Sequence, residues 1–427
     1  MCIPDVEATR PPFVQKPTTK SVVTQKIVVS SERPEEKTTT QPAVTKPTIS
    51  VVKVRSTRKL CRILYTKNEV NYFYVEKIRA CALHCTKDGA FTARDKETLE
   101  EWINGLAYMC ALLCVFAIFA VVCNYSKTNF PERPIVFITV CYFFYSIAFI
   151  IRIVIGREGT SCQEEGGEHY LLLDGSGNIS CATTFLLAYC FSMAQSIWWV
   201  VLTVCWFLSA GMRWKSERIK KKAAYFHFFA WGVPCAKTVV ILVLRKIDVN
   251  ELSGMCFVGN RYENLGSLRA FVLGPLFTYL IMGVTFLIFG FVARFIAVFR
   301  PPISCCEDQE HNTKYESRLL PTGVYAALHT FFSTYILASY FYEYVNKEIW
   351  FTDPSSSGPN FEVFLLRTVM DFAIGITAAS WLLLAHVPRL CSKLRLRLSE
   401  PEVTLSEAQL QPLRQLGGGG GTNQTSI

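Results

Sequence analysis

The chain has 427 residues, of which 51% are hydrophobic and only 18% charged, with a mean hydropathy of +0.26. Soluble chains carry about 25% charge, so the composition excludes a soluble enzyme, a nucleic-acid-binding domain and a β-barrel porin as leading readings. The net charge of +10 is better matched by basic loops facing anionic lipid than by contacts with nucleic acid.

Residues 1–58 are rich in Thr, Lys, Val, Ser and Pro with little periodicity, and read as a disordered stalk. No apolar stretch follows Met1, so no secretory signal peptide is read there. Export of the residues before the first apolar block then requires that block to act as a signal-anchor, or a start other than Met1. Residues 59–101 change character. Tyr72-Phe73-Tyr74-Val75 with Cys61, Cys81 and Cys85 predict a small disulfide-stapled module.

From 102 to 385 the apolar residues gather in seven blocks: 102–123, 135–155, 183–208, 225–244, 271–291, 324–342 and 361–384. Each is long enough to cross the roughly 30 Å of hydrocarbon in a bilayer, and in lipid each must satisfy its own backbone as a helix. The predicted fold is an all-α membrane protein, a seven-helix bundle with a cysteine-stapled linker and disordered ends. Pro234, Gly274 with Pro275, and Gly375 are candidate kinks. Residues 386–427 form a tail that ends in Thr425-Ser426-Ile427 after a run of five glycines. A Ser or Thr two positions before a terminal aliphatic carboxylate suits strand addition to a PDZ domain, with Ile427 filling a pocket; a plain disordered end is the alternative.

Orientation follows the basic loops. The third loop holds Arg213, Lys215, Arg218, Lys220, Lys221 and Lys222; the fifth holds Arg294, Arg300, Lys314 and Arg318; the tail holds Arg389, Lys393, Arg395 and Arg397. The opposite loops carry acids such as Glu158, Glu164, Glu165 and Glu168, against the contrary Arg245, Lys246, Arg261 and Arg269. The N-terminus is therefore expected outside and the C-terminus in the cytoplasm, as in a receptor. The third-loop cluster reads as a lipid-facing surface or as a docking face for a cytoplasmic protein.

Of 17 cysteines, seven fall on the outer side: Cys2, Cys61, Cys81, Cys85, Cys162, Cys181 and Cys256. Outer thiols usually pair, one must be left over, and spacing alone leaves the pairing open. Cys305, Cys306 and Cys391 are palmitoylation candidates beside the membrane. Asn178-Ile179-Ser180 is an outer glycosylation sequon. Catalytic signatures are missing. There is no HExxH, no CxxC pair and no P-loop, and the six His residues lack ligand spacing; no enzyme activity, cofactor or metal is read. A transporter is the alternative from another class, resting on the ionisable residues Lys237, Arg367 and Asp371 within the spans.

Longer motifs carry a resemblance. Phe130-Pro131-Glu132-Arg133-Pro134 opens the second span. The third reads Phe191-Ser192-Met193-Ala194-Gln195-Ser196-Ile197-Trp198-Trp199, then Trp206-Phe207-Leu208-Ser209-Ala210-Gly211. Later come Ala230-Trp231-Gly232-Val233-Pro234 and Leu252-Ser253-Gly254-Met255-Cys256-Phe257-Val258-Gly259-Asn260. Over about residues 58–385 the chain resembles the Frizzled receptors, seven-helix receptors for Wnt proteins, and it fits the related Smoothened receptors less well. The resemblance implies a plasma-membrane receptor with disulfides Cys61–Cys81, Cys85–Cys162 and Cys181–Cys256. It also implies that Cys2 closes a cysteine-rich Wnt-binding domain that is otherwise missing here.

Two departures bear on signalling. The family's Lys-Thr-x-x-x-Trp motif, which recruits Dishevelled, aligns with His386, Val387 and Cys391 and is absent. The family's basic residue in span six, which locks onto a tryptophan of span seven, aligns with Pro321; Arg318 is the candidate substitute partner of Trp381. The expected function is Wnt reception with attenuated or non-standard Dishevelled coupling and with a G protein as a further candidate partner. A non-signalling Wnt decoy or scaffold is the alternative.

Overall fold

The computed structural model describes residues 72–75, 80–123, 130–165, 167–299, 309–352 and 357–399. Cys2, Cys61, Cys305, Cys306, Thr425 and Ile427 lie outside these residues, as do the side chains of Arg318, Arg389, Lys393, Arg395 and Arg397.

Among the described residues seven long helices run in sequence: α1 Ala93–Cys123, α2 Arg133–Ile155, α3 Ile179–Ala210, α4 Ala223–Val243, α5 Gly274–Phe299, α6 Gln309–Thr352 and α7 Phe361–Ser399. Six of them, the fifth counted from Leu265, are long and apolar enough to cross a membrane. The seventh, α6, is diluted by polar residues that pair within it. Thr330 and Thr334 hydroxyls donate to the Ala326 and Thr330 carbonyls at 2.8 Å each, and Ser339 donates to Ile336. Such back-bonding lets hydroxyls sit in a spanning helix without an unmet donor.

Local chemistry sets the ends. α1 begins at Ala93, ahead of the apolar block at 102, because Thr92 and Asp95 cap each other: the Asp95 amide donates to Thr92 Oγ1 at 3.2 Å and the Thr92 amide to Asp95 Oδ2 at 3.1 Å. Asn178 caps α3, its side-chain oxygen accepting from the Cys181 amide at 3.0 Å. A six-residue π-helical turn, Leu268–Leu273, leads into α5 and leaves Pro275 in the first turn, where proline is tolerated.

Helix α3 is the axis. It packs on α2, α4, α5 and α6, and 78% of its most apolar stretch is buried, against 17% for the fifth span. Trp198, Trp199 and Trp206 of α3 are among the largest fully buried side chains. Helix α1 closes the bundle between α2 and α7. At that seam Gly375 is a close approach: a Cβ there would stand 2.6 Å from the Tyr142 ring and 2.7 Å from Cys110 Sγ. Gly375→Ala should therefore destabilise the bundle by about 1–3 kcal/mol, read as a lower thermal midpoint of the purified chain. The outer surface exposes Phe116 and Phe119 of α1, Phe228 and Val243 of α4, Phe295 of α5 and Phe331 of α6. An apolar belt of this kind suits hydrocarbon and would not suit water.

The loops at one end fold into three antiparallel hairpins that helical periodicity does not announce: β1 Tyr72–Val75 with β2 Ala80–Leu83, β3 Cys162–Glu165 with β4 Glu168–Leu171, and β5 Ile247–Val249 with β6 Cys256–Val258. A bridge between His84 and Tyr170 joins the first hairpin to the second.

Candidate functional site

Side chains from distant loops hold the hairpin end together. Cys85 is bonded to Cys162, and Cys181 at the head of α3 to Cys256 of β6. Cys81 is also in a disulfide. Glu251, at the tip of the β5–β6 hairpin, clamps the chain entering α1. Its carboxylate accepts from the amides of Gly89 and Ala90 at 3.0 Å and pairs with Lys96 at 3.2 Å. Arg157 returns the contact through the Leu252 carbonyl at 3.1 Å and the Glu251 carbonyl. Asp248, on β5, is fully buried. Burial pushes its carboxyl above the usual range, and the amides of Asn260 and Arg261 with the Asn264 side chain oppose that rise.

Below this cap lies a layer of buried and half-buried charge. Glu343 of α6 accepts from Lys347 at 2.6 Å and from Arg367 of α7 at 2.7 Å, and Lys347 also donates to the Gly259 carbonyl at 3.1 Å. The Lys237 ammonium donates to the Tyr279 hydroxyl at 2.9 Å. Asp371 accepts from the Tyr142 and Tyr145 hydroxyls at 3.1 and 2.5 Å. Arg367 and Lys237, two of the residues behind a transporter reading, are thus engaged in bonds between helices.

Deeper in the bundle α3 is joined to α6 by ring stacking and hydrogen bonds, among them one from the Trp199 indole N–H to the Ala326 carbonyl at 3.3 Å. Trp199 stacks on His329, with ring centroids 5.1 Å apart and planes 8° apart. His329 is bracketed by Gln195 Oε1 at 3.1 Å and Ser333 Oγ at 3.0 Å. Trp206, fully buried, donates its indole N–H to the Leu319 carbonyl at 2.8 Å. Glycines make room for this ring: a Cβ on Gly290 of α5 or Gly323 of α6 would stand 2.3 or 2.7 Å from it. Gln195 was legible as a polar residue inside an apolar block; its partner 134 positions away was not.

The predicted switch residues are placed as follows. Pro321 is exposed within α6. Trp381 is half-buried and meets the ring of Tyr325, with centroids 5.6 Å apart. The Tyr325 hydroxyl is buried and lacks a hydrogen-bond partner among the described residues. In α7 His386 is buried, whereas Val387 and Cys391 are exposed.

At the end of the bundle away from the hairpins, a short helix Ser216–Lys220 is pinned by the fully buried Ile219. Around it Arg213, Lys215, Arg218, Lys220, Lys221 and Lys222 are all exposed. Arg218 lies over the Trp214 ring at 5.2 Å and Lys222 over Tyr225 at 5.6 Å. At the opposite end Asn178 is half-buried, with its side-chain oxygen occupied as a helix cap. Among the described residues no group of three or more His, Cys, Asp or Glu is placed to hold a metal.

Comparison with known proteins matches this architecture. The model of the Frizzled/Smoothened family membrane region matches residues 90–390. Frizzled-4 of Gallus gallus is 39% identical over 317 residues, covering 74% of this chain and 59% of that protein. For Frizzled-4 of Homo sapiens the figures are 39%, 74% and 58%. Frizzled-9 of Gallus gallus is 36% identical over 335 residues, covering 74% of this chain and 84% of the relative. The chain thus spans less than two thirds of the Frizzled-4 proteins it matches. With seven helices ordered around a tryptophan-rich third helix, and a family match that runs from the start of α1 into the end of α7, the chain belongs to the Frizzled/Smoothened family.

Proposed function

We propose that the chain is the membrane region of a Frizzled-type receptor for Wnt proteins at the plasma membrane, with the hairpin end outside and the basic loops in the cytoplasm. The observation that carries this reading is the α3–α6 junction of Trp199, Trp206, His329 and Leu319, which joins the centre of the bundle to its inner end. A ligand bound outside shifts such a bundle only through its different affinity for two arrangements. The stapled cap supplies a stiff connection between the chain entering α1 and the helices.

Inside, the exposed cluster Arg213 to Lys222 attracts anionic lipid, each basic residue contributing about 1 kcal/mol near the leaflet, and offers a docking face for Dishevelled or a G protein. Without Lys, Thr and Trp at positions 386, 387 and 391, Dishevelled coupling is attenuated. Thr425 to Ile427 serve as a ligand for a PDZ protein, and Asn178 as a glycosylation site. In cells lacking other Frizzleds, the chain carrying a cysteine-rich domain ahead of Cys2 should give a weaker β-catenin reporter response to Wnt than a Frizzled bearing the Lys-Thr-x-x-x-Trp motif. Writing that motif into 386–391 should raise the response. Full-strength signalling by the unaltered chain would refute attenuation.

A further inference from the structure

The loop between α3 and α4 sets six exposed basic residues, Arg213 to Lys222, around a single hydroxyl, that of Ser216. We propose that Ser216 is a phosphorylation site for a protein kinase that reads basic residues on both sides of its acceptor, and that the phosphate releases this loop from anionic lipid. The proposal rests on the cytoplasmic placement of the loop given above.

Sequence and geometry agree on the acceptor. Arg213 stands three residues before Ser216 and Arg218 two after it, with Lys215 between. Kinases choose substrates by such charge patterns, the arginines pairing with carboxylates beside the groove that takes the peptide. Arg213, Lys215 and Arg218 are all exposed. Residues 213–215 lie in neither helix nor strand, and Lys215 is extended, at φ −66° and ψ 146°. Ser216 is half-buried, and among the described residues its hydroxyl makes no hydrogen bond that phosphorylation would break. The helix it opens has five residues, Ser216–Lys220, and is too short to persist on its own. Residues up to Arg218 can therefore be drawn out into a kinase groove while the buried Ile219 holds the rest of the loop. Ser392 follows Arg389 at the same spacing, but both lie inside the 39-residue α7, where successive residues wind around the axis instead of lying in line.

The step moves the γ-phosphoryl group of ATP to Ser216. A bond forms from Oγ to phosphorus as the bond from that phosphorus to the ADP oxygen breaks, and the hydroxyl proton passes to a carboxylate of the kinase. The new group carries about −1.5 to −2 charges at neutral pH. Six basic residues against one acid, Glu217, leave the loop at +5, so the modification cancels about a third of its charge. Basic segments beside an anionic leaflet are released by phosphorylation in this way.

The test uses the purified full chain in nanodiscs of phosphatidylcholine with phosphatidylserine, treated with ATP and protein kinase C, a kinase of this basic-reading class. Mass spectrometry should find phosphate on Ser216. Arg213→Ala should slow its addition about tenfold or more, the value of one hydrogen bond to a charged group. Energy transfer from the chain's tryptophans to dansyl-labelled phosphatidylserine, measured against labelled phosphatidylcholine, should fall when the unaltered chain is phosphorylated and stay constant in Ser216→Ala. Phosphate on Ser392 in place of Ser216, no phosphate, a rate indifferent to Arg213→Ala, or lipid contact unmoved by phosphorylation would each overturn the proposal. In intact cells an antibody to residues 211–224 should bind only after permeabilisation. Staining of unpermeabilised cells would overturn the cytoplasmic placement itself, a failure distinct from any in the nanodisc.

Discussion

On the proposed receptor reading, replacing Trp206 with Phe should raise basal signalling while leaving the bundle folded. The ring keeps its place against Gly290 and Gly323, but the hydrogen bond from Nε1 to the Leu319 carbonyl is lost. A single buried hydrogen bond is worth about 1 kcal/mol net, so an equilibrium between inactive and active arrangements should move about fivefold toward the active one. The effect lands on α6 because Leu319 lies two residues before Pro321, where the family carries its basic lock. With a proline there, an indole on α3 bonded to the α6 backbone is the tether observed at this end. Trp206→Ala is a different experiment. It empties a fully buried site and should cost about 3–5 kcal/mol, read as loss of surface expression. A conformational sensor inserted at residues 300–308, paired with a fluorophore near the C-terminal end, separates the two outcomes. Trp206→Phe changes its basal signal at normal expression, and Trp206→Ala removes the protein.

The second large effect is expected at Glu343. This carboxylate holds Lys347 and Arg367 together, with all three side chains 12% exposed or less. Glu343→Ala leaves two buried cations without their anion. Removing one member of a buried ion pair costs about 3–5 kcal/mol, comparable to the whole stability of many domains. The variant should fail to reach the cell surface. Glu343→Gln, which keeps an acceptor for one cation, should recover part of that loss. Normal surface levels of Glu343→Ala would show that water or lipid reaches this layer and that the pairing is dispensable.

The sequence displays the spans better than it displays what joins them. Seven apolar blocks became seven helices because hydrocarbon leaves a chain no other local solution. The bounds were legible only where apolarity ends them. Helix α1 starts early because Thr92 and Asp95 cap it, and α6 runs on past 342 because Glu343 and Lys347 pair one turn apart and find Arg367 on α7. Charged residues that read as the end of a span were bonded continuations of it. The hairpins were missed because strands of three or four residues in cysteine-bearing loops leave almost no alternation to read. The Glu251 clamp, the Gln195–His329 pair and the two tyrosines on Asp371 each join residues more than 100 positions apart, a distance over which local pattern is silent. Arg318 was read as a partner for Trp381 from the family's lock, which aligns one turn away at Pro321; its side chain lies outside the described residues, and among those described Tyr325 meets the Trp381 ring.

The most direct test of the receptor account is to apply a purified Wnt to cells expressing the chain with a cysteine-rich domain ahead of Cys2 and the sensor between 300–308 and the C-terminal end in place. The account predicts a saturable change in energy transfer that runs in the same direction as the basal change in Trp206→Phe. Wnt that binds the restored receptor yet leaves the sensor signal unmoved would contradict it, and would mean that this bundle holds Wnt without transmitting its presence.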